Sequence, residues 1–304
     1  MSQRRRVVTL DAREARLAWV LMAPALGVLI LVAAGPLVAT IWESLFHHDL
    51  RLPWLGRPFA GLDNYAEAAT DPRVRQALAH TAGFTAVTIP LELTFGVLLA
   101  LGLDSLRRGR GLARVIVLLP WAVPTVVAAL IFRFMFDGQA GLAAGVLSVL
   151  APSAGPIEWL AGPLTAWVPI VLADVWKTTP FVALLVLAGL QGIDPALHEA
   201  ARLDGASAWR RFVHITLPLL RPALVVALVF RTLDAFRVFD LVFVLTGGGP
   251  GTSTEVISLY AFTSLLQHLR FGYGSALSVM IFAFGFSLAL VYVRALGTSA
   301  RERR

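Results

Sequence analysis

Six stretches of this chain are built almost entirely from apolar side chains: Leu17–Trp42, Ala77–Leu103, Ala113–Phe136, Thr165–Leu190, Leu219–Leu245 and Gly272–Leu296. A helix rises about 1.5 Å per residue, so about 20 residues cross ~30 Å of hydrocarbon, and each stretch is long enough. The runs are continuous, not alternating, which predicts helices and argues against a barrel. Composition agrees: 57% of the 304 residues are hydrophobic and 15% are charged, against roughly 45–50% and ~25% in soluble domains. The expected fold class is all-α integral membrane, with six transmembrane helices. Pro24, Pro36, Pro90, Pro120, Pro124, Pro169 and Pro180 fall inside the runs and predict kinks, which a bundle tolerates when neighbours satisfy the freed carbonyls.

Basic residues fall unevenly at the ends of these runs. One set of ends holds Arg4, Arg5, Arg6, Arg13 and Arg16, then Arg107, Arg108, Arg110 and Arg114, then Arg202, Arg210, Arg211 and Arg221, then Arg294, Arg301, Arg303 and Arg304. The opposite set holds only Arg51, Arg57, Arg73, Arg75 and Arg270. Positive charge marks the cytoplasmic side. Both termini are therefore expected in the cytoplasm. The net charge of +7 reads as a topology signal, and no nucleic-acid partner is expected. The expected organisation is a basic N-terminus over 1–16, a membrane domain over 17–296 and a tail over 297–304. The first run is long for a cleaved export signal and is expected to be retained.

Several chemistries are excluded. There is no cysteine, hence no disulfide and no thiolate ligand or nucleophile. The lone lysine, Lys177, precedes Thr178 but follows Trp176 inside an apolar run. A phosphate-cradling loop needs glycines there. The GGGPG stretch at 247–251 lacks a lysine and reads as a turn. The six histidines form no i,i+4 pair, so no metal site is expected. No catalytic residues and no cofactor are expected in this chain.

One charged segment interrupts the apolar pattern, EAARLDGASAWRRFVHITLP at 199–218. Asp194-Pro195 is a helix start, with an N-cap side chain followed by proline at the first helical position. A helix is expected over Ala196 to Leu203, a left-handed turn at Gly205, and a second short helix over Ala208 to Val213 capped by Ser207. Pro218 and Pro222 are expected to punctuate the entry into the fifth run. On composition alone this could be an amphipathic helix lying in the lipid interface. Its alanine-rich surface favours close packing against protein, since interfacial helices carry a bulkier face.

Glu199, Ala200, Ala201, Asp204, Gly205, Ile215, Leu217 and Pro218 match the EAA loop, with its spacing. The chain thus resembles permease subunits of ATP-binding-cassette importers. GLDNY at 61–65, Asp71, DVWKTTPF at 174–181, RTLDAFRVFD at 231–240 and LTGGGPGTST at 245–254 are similar to the carbohydrate branch, with maltose- and trehalose-type permeases nearest. The resemblance implies a type I importer permease fold whose 194–218 loop is a coupling helix. It implies a cytoplasmic ATPase dimer that binds ATP and Mg, a second, distinct permease and an extracytoplasmic sugar-binding protein. Glu199 would face the ATPase and Gly205 would give the turn. Arg210 and Arg211 are added as supporting contacts.

Charges at bilayer depth cost about 2.5–3.5 kcal/mol each on insertion scales and so face protein or water. Asp174 and Lys177 lie in the fourth run, and Arg231, Asp234, Arg237 and Asp240 in the fifth. Three-residue steps drift around a helix, so these four cannot all face one cavity. Two readings stay open: pairing that fixes helix packing, or lining of a sugar path, with Trp176, Phe181 and Phe236 as aromatic faces beside Asp174, Lys177, Arg231, Asp234 and Asp240. Two other functions compete. A secondary carrier or channel would use these charges as an ion or proton relay, but has no need of a stiff cytoplasmic loop. A membrane enzyme acting on lipid-linked sugar would need a clustered acid/base or metal site, and the sequence displays none.

Overall fold

A computed structural model describes residues 12–106, 108–138, 140–150 and 157–301, with side chains from Ala15 to Arg294. The expectations placed on Arg4, Arg5, Arg6, Arg107, Arg303 and Arg304, and on the side chains of Arg13 and Arg301, lie outside what is described. The described chain is helical, with isolated bridges at Phe46–Phe59 and Asp49–Arg270.

Helices α1 (Ala12–Leu29) and α2 (Gly35–Glu43) form the first crossing, joined by a π-turn over Ile30–Ala34. A short α3 (Asp63–Thr70) leads to α4 (Pro72–Ser105), followed by α5 (Arg110–Ala122), α6 (Thr125–Met135) and α7 (Leu142–Leu150). Then come α8 (Trp167–Gln191), α9 (Pro195–Leu203), α10 (Ala208–Arg211) and α11 (Leu217–Phe236). The chain closes with α12 (Asp240–Leu245), α13 (Ile257–Phe262) and α14 (Phe271–Arg301). Five helices are long and apolar enough to cross a membrane, and the bent pair α5–α6 makes up to six.

Two expected spans are corrected. The third run is broken: α5 and α6 meet at 86°. Val123 and Pro124 are both extended there, because the ring of Pro124 disfavours a helical residue before it. The fifth span is also shifted. Its helix starts at Ala208, runs through a π-turn at Phe212–Thr216 and ends at Phe236. Arg237 closes it by donating its N–H to the Asp234 carbonyl at 3.0 Å. Asp240 then sits in the first turn of α12, where an acidic residue suits the helix dipole. It does not share a helix with Arg231.

Pro218 and Pro222 do not punctuate this rod either. The amide of Leu217 reaches back five residues to the carbonyl of Phe212, a one-residue register slip just before the proline that cannot donate. The same device recurs where Gly35 donates to Ile30 ahead of Pro36. Proline is absorbed, not broken upon.

The core lies between α4, α8 and α11. Ala100, Leu103, Val182, Ala183, Val186, Leu187, Leu220 and Ala227 form one buried cluster. Gly96 sets how close α4 and α8 come, since a Cβ there would lie 2.5 Å from Val182 Cγ1. Small residues at crossings substitute for the hydrophobic drive that lipid does not supply. At the end of α4 formed by its N-terminus, Asp71 caps the helix and accepts the hydroxyls of Tyr260 and Tyr273, each at 2.6 Å. Burial pushes its carboxyl up, but those hydroxyls and the Arg73 and Val74 amides outweigh it and hold it below the usual range. Gly96→Leu is expected to force α4 from α8, costing about 1–3 kcal/mol as overpacking does. The thermal midpoint in detergent should fall, whereas Gly83→Ala, with open space around it, should leave it unlowered.

Candidate functional site

At the centre of the three-helix core Arg231 is 2% exposed. Its Nε donates to Glu92 Oε2 at 2.5 Å and its Nη2 to Glu92 Oε1 at 2.7 Å. Nη2 also reaches Asp174 Oδ2 at 3.0 Å, and Nη1 reaches Asp234 Oδ2 at 2.5 Å. Thr178 donates to Glu92 Oε1 at 2.7 Å. One guanidinium thereby ties α4, α8 and α11. Glu92 is fully buried and is absent from the sequence-based candidates. Its signal was present: a lone carboxylate in the apolar stretch TIPLELTFG at 88–96.

Beside this knot, α8, α11 and α14, with Trp121 of α5, line a half-open cavity of about 660 Å³, within the range of small-molecule pockets. Its polar wall is Thr178, Arg231, Asp234, Arg237 and Ser278, and its aromatic wall includes Trp121, Phe181 and Phe230. Phe181 stacks on Trp121 at 5.8 Å and meets Phe230 edge-on at 6.1 Å. A smaller chamber of about 140 Å³ shares Thr178, Asp234 and Arg237 and adds Asp174, Lys177 and Asp240. The Asp234 side chain, 60% exposed, stands between the two. Such a surface offers hydrogen bonds on one side and ring faces on the other.

The eight residues expected to line a path are divided by the fold. Phe181, Arg231 and Asp234 line the larger cavity. Asp174, Lys177 and Asp240 line the smaller. Trp176 packs against Phe132 at 5.7 Å, and Phe236 stacks on Phe284 at 4.4 Å inside an apolar cluster. Those two line neither cavity: Trp176 is taken up by α6 and Phe236 by α14. Thr178, Arg237 and Trp121 take part instead. Trp121, the penultimate residue of α5, lies just ahead of the bend at Pro124.

Far along the same rod lies the 194–218 loop. Asp194 Oδ1 accepts the Ala196 amide at 2.9 Å, ahead of Pro195. The helix ends in a Schellman motif, with Ala206 N donating to Ala201 O at 2.9 Å and Gly205 N to Arg202 O at 3.0 Å. Gly205 has φ +77°. Ser207 Oγ accepts the Arg210 amide at 3.3 Å and caps α10. No residue of α9 is buried, and Leu203 is 90% exposed. Glu199, Ala200 and Asp204 are exposed beside it. Ala201, Arg210 and Arg211 border a groove of about 320 Å³ with Ala206, His214 and Ile215. Leu217 and Pro218 open α11. From Ala208 to Arg231 the rod spans about 35 Å at 1.5 Å per residue, joining loop to cavity.

The sequence pattern described as "Binding-protein-dependent transport system inner membrane component" matches residues 92–296. The chain is 44% identical over 285 residues to the trehalose/maltose transport system permease protein MalF of Thermococcus litoralis, covering 94% of this chain and 95% of that one. It is 40% identical over 291 residues to the trehalose transport system permease protein SugA of Mycobacterium tuberculosis, covering 94% and 91%. Its backbone matches, with TM-score 0.79, a chain in the crystal structure of a bacterial ABC transporter involved in the import of the acidic polysaccharide alginate. That match covers 94% of this chain and 96% of the other; at 22% identity it speaks of fold alone.

Removing one partner from a buried ion pair costs about 3–5 kcal/mol, because the other charge is left uncompensated. Arg231→Met and Glu92→Gln should each lower thermal stability by amounts of that order. Their combination should lose clearly less than the sum, read as a double-mutant cycle. Additive losses would show that the two side chains do not share one interaction.

Proposed function

We propose a function from one premise: this chain belongs to the family of binding-protein-dependent transport system inner membrane components. It is a permease subunit of an ATP-driven importer, and ATP hydrolysis belongs to a separate subunit. On our reading the cargo is a sugar, a disaccharide such as trehalose or maltose or a short oligosaccharide. It passes between α8, α11 and α14 by alternating access. Asp234, Arg237 and Thr178 would hydrogen-bond its hydroxyls while Trp121, Phe181 and Phe230 cover its C–H faces. The relatives' sugar-transport names support this cargo.

The observation that carries the mechanism is mechanical. A helix fixed at its start by Asp194 and at its end by Gly205 projects uncovered from the protein. Through Ser207 and the uninterrupted 208–236 rod it is continuous with the wall of the cavity. A cytoplasmic ATPase dimer, binding ATP and Mg, would seat α9 around Glu199, Ala200, Ala201 and Asp204. Arg210, Arg211 and the Leu217-Pro218 entry would transmit its closure to α11. This orientation would put both termini in the cytoplasm and leave the other face to a sugar-binding protein, with a second, distinct permease completing the path. A carrier driven by an ion gradient would gain nothing from so rigid an uncovered lever.

Gly205→Val tests the lever. A Cβ there meets nothing within 4 Å, so the substitution acts through backbone strain at positive φ alone, costing on the order of 1–3 kcal/mol. In proteoliposomes holding the whole transporter, ATP turnover should persist while sugar uptake falls about tenfold or more, about 1.4 kcal/mol of lost coupling. Uptake and turnover both at the parental level would rule the lever out.

A further inference from the structure

Between α2 and α3 the chain folds into a closed loop. His47 N donates to Pro58 O at 3.0 Å and Ala60 N to Leu45 O at 2.8 Å. Asn64 Nδ2 donates to the carbonyls of Ser44 and Phe46 at 2.8 and 3.0 Å. Arg57 pairs with Glu43, the last residue of α2. On its other flank Leu50 N donates to Leu269 O at 3.0 Å and Gly272 N to His48 O at 3.1 Å. The loop is thus fixed to the ends of two crossings, α2 and α14. These backbone groups and the Asn64 amide are spent on that stem.

What the stem holds outward is apolar. Trp54 is 74% exposed, Phe59 and Leu62 are 70% and Leu55 is 62%. Pro53–Leu55 form a single tight turn at the tip. At about 25 cal/mol per Å², a rigid loop that keeps such side chains in water forgoes their burial. A less water-rich phase would recover it.

The level of the loop decides which phase. From Arg16 to Trp42 the first crossing covers about 39 Å at 1.5 Å per residue. Hydrocarbon alone is ~30 Å thick, and ~40–45 Å with headgroups. Trp42, itself 61% exposed, therefore ends in the headgroup layer remote from Arg16, and the loop is tied to its neighbour Glu43. Tryptophan beside aliphatic residues at this level is the aromatic belt of a membrane boundary. Arg51 and Arg57 flank the tip with side chains 51% and 48% exposed, and their unused N–H donors suit lipid phosphates.

We propose that the 45–62 loop is an interfacial anchor, whose tip Leu52–Leu55 and Phe59 enter the headgroup–acyl boundary of phospholipids. The anchor fixes the depth of the α2 and α14 ends while other helices move. It rests on the chain's being a membrane protein, not on which solute is carried.

The absence of cysteine makes the test direct. Nitroxide labels on Trp54→Cys, Leu55→Cys and, as a lipid reference, Leu31→Cys are placed in the full transporter. The transporter is held in nanodiscs of phosphatidylcholine and phosphatidylglycerol in equal parts. At 54 and 55 collision with oxygen should exceed collision with a water-soluble nickel chelate severalfold, as at 31. Nickel-dominated collision at both tip sites overturns the anchor. So does nickel-dominated collision that disappears only when sugar-binding protein is added, which would make the tip a protein dock. All three positions are exposed surface, so labelling leaves the core packing untouched.

Discussion

Arg231 bears its charge inside the bundle, and the three helices that enclose it have little freedom to rearrange. Its forked donors are shared among a glutamate on α4, an aspartate on α8 and an aspartate one turn along its own helix. Such a knot need not add net stability, because desolvating the ions offsets their attraction. Its contribution is uniqueness. Sliding or rotating α11 past α4 would strand Glu92 in an apolar wall, whereas apolar packing alone would tolerate several registers. The cavity, whose polar wall grows out of the same knot at Thr178, Arg231 and Asp234, inherits that register.

The second feature is continuity. A permease whose ATPase is a separate subunit must receive its displacement at one end and use it at another. Here the exposed helix α9 joins, through the Gly205 turn and Ser207, the one helical rod 208–236 that forms the cavity wall. Prolines near its base, Pro218 and Pro222, ordinarily interrupt a helix. The π-turn at Phe212–Thr216 instead takes up the missing amide without ending the helix. The capped ends of α9 and the cap of α10 stiffen the loop, since each backbone group satisfied by Asp194, Ser207 or the Schellman pair removes a way for it to yield.

Legibility in the sequence followed the range of the interactions. The loop could be read residue by residue, because caps and left-handed turns are decided within a few positions of Asp194, Gly205 and Ser207. Apolar length likewise revealed the crossings. Contacts between distant segments could not be read: Glu92 and Arg231 are 139 positions apart, and helical periodicity relates Arg231 only to neighbours on its own helix. Pro124 marked a kink, but its 86° turn reflects two successive extended residues. Phe181 and Phe236 are equivalent as letters in an apolar run. Only the packing of α14 places the first on a cavity and the second on Phe284. The break after Phe236 removed Asp240 from the rod, which no periodicity within 231–240 announces.

The central claim is that force received at α9 reaches the cavity beside Arg231. Phe230, on the cavity wall and in a chain without native cysteine, reports on it directly. In the complete transporter in liposomes, Phe230→Cys is exposed to a membrane-impermeant thiol reagent from either side, with and without ATP. The account predicts labelling from the α9 side in the resting state and from the opposite side when ATP closes the partner subunits. Labelling whose side does not change with ATP would contradict it.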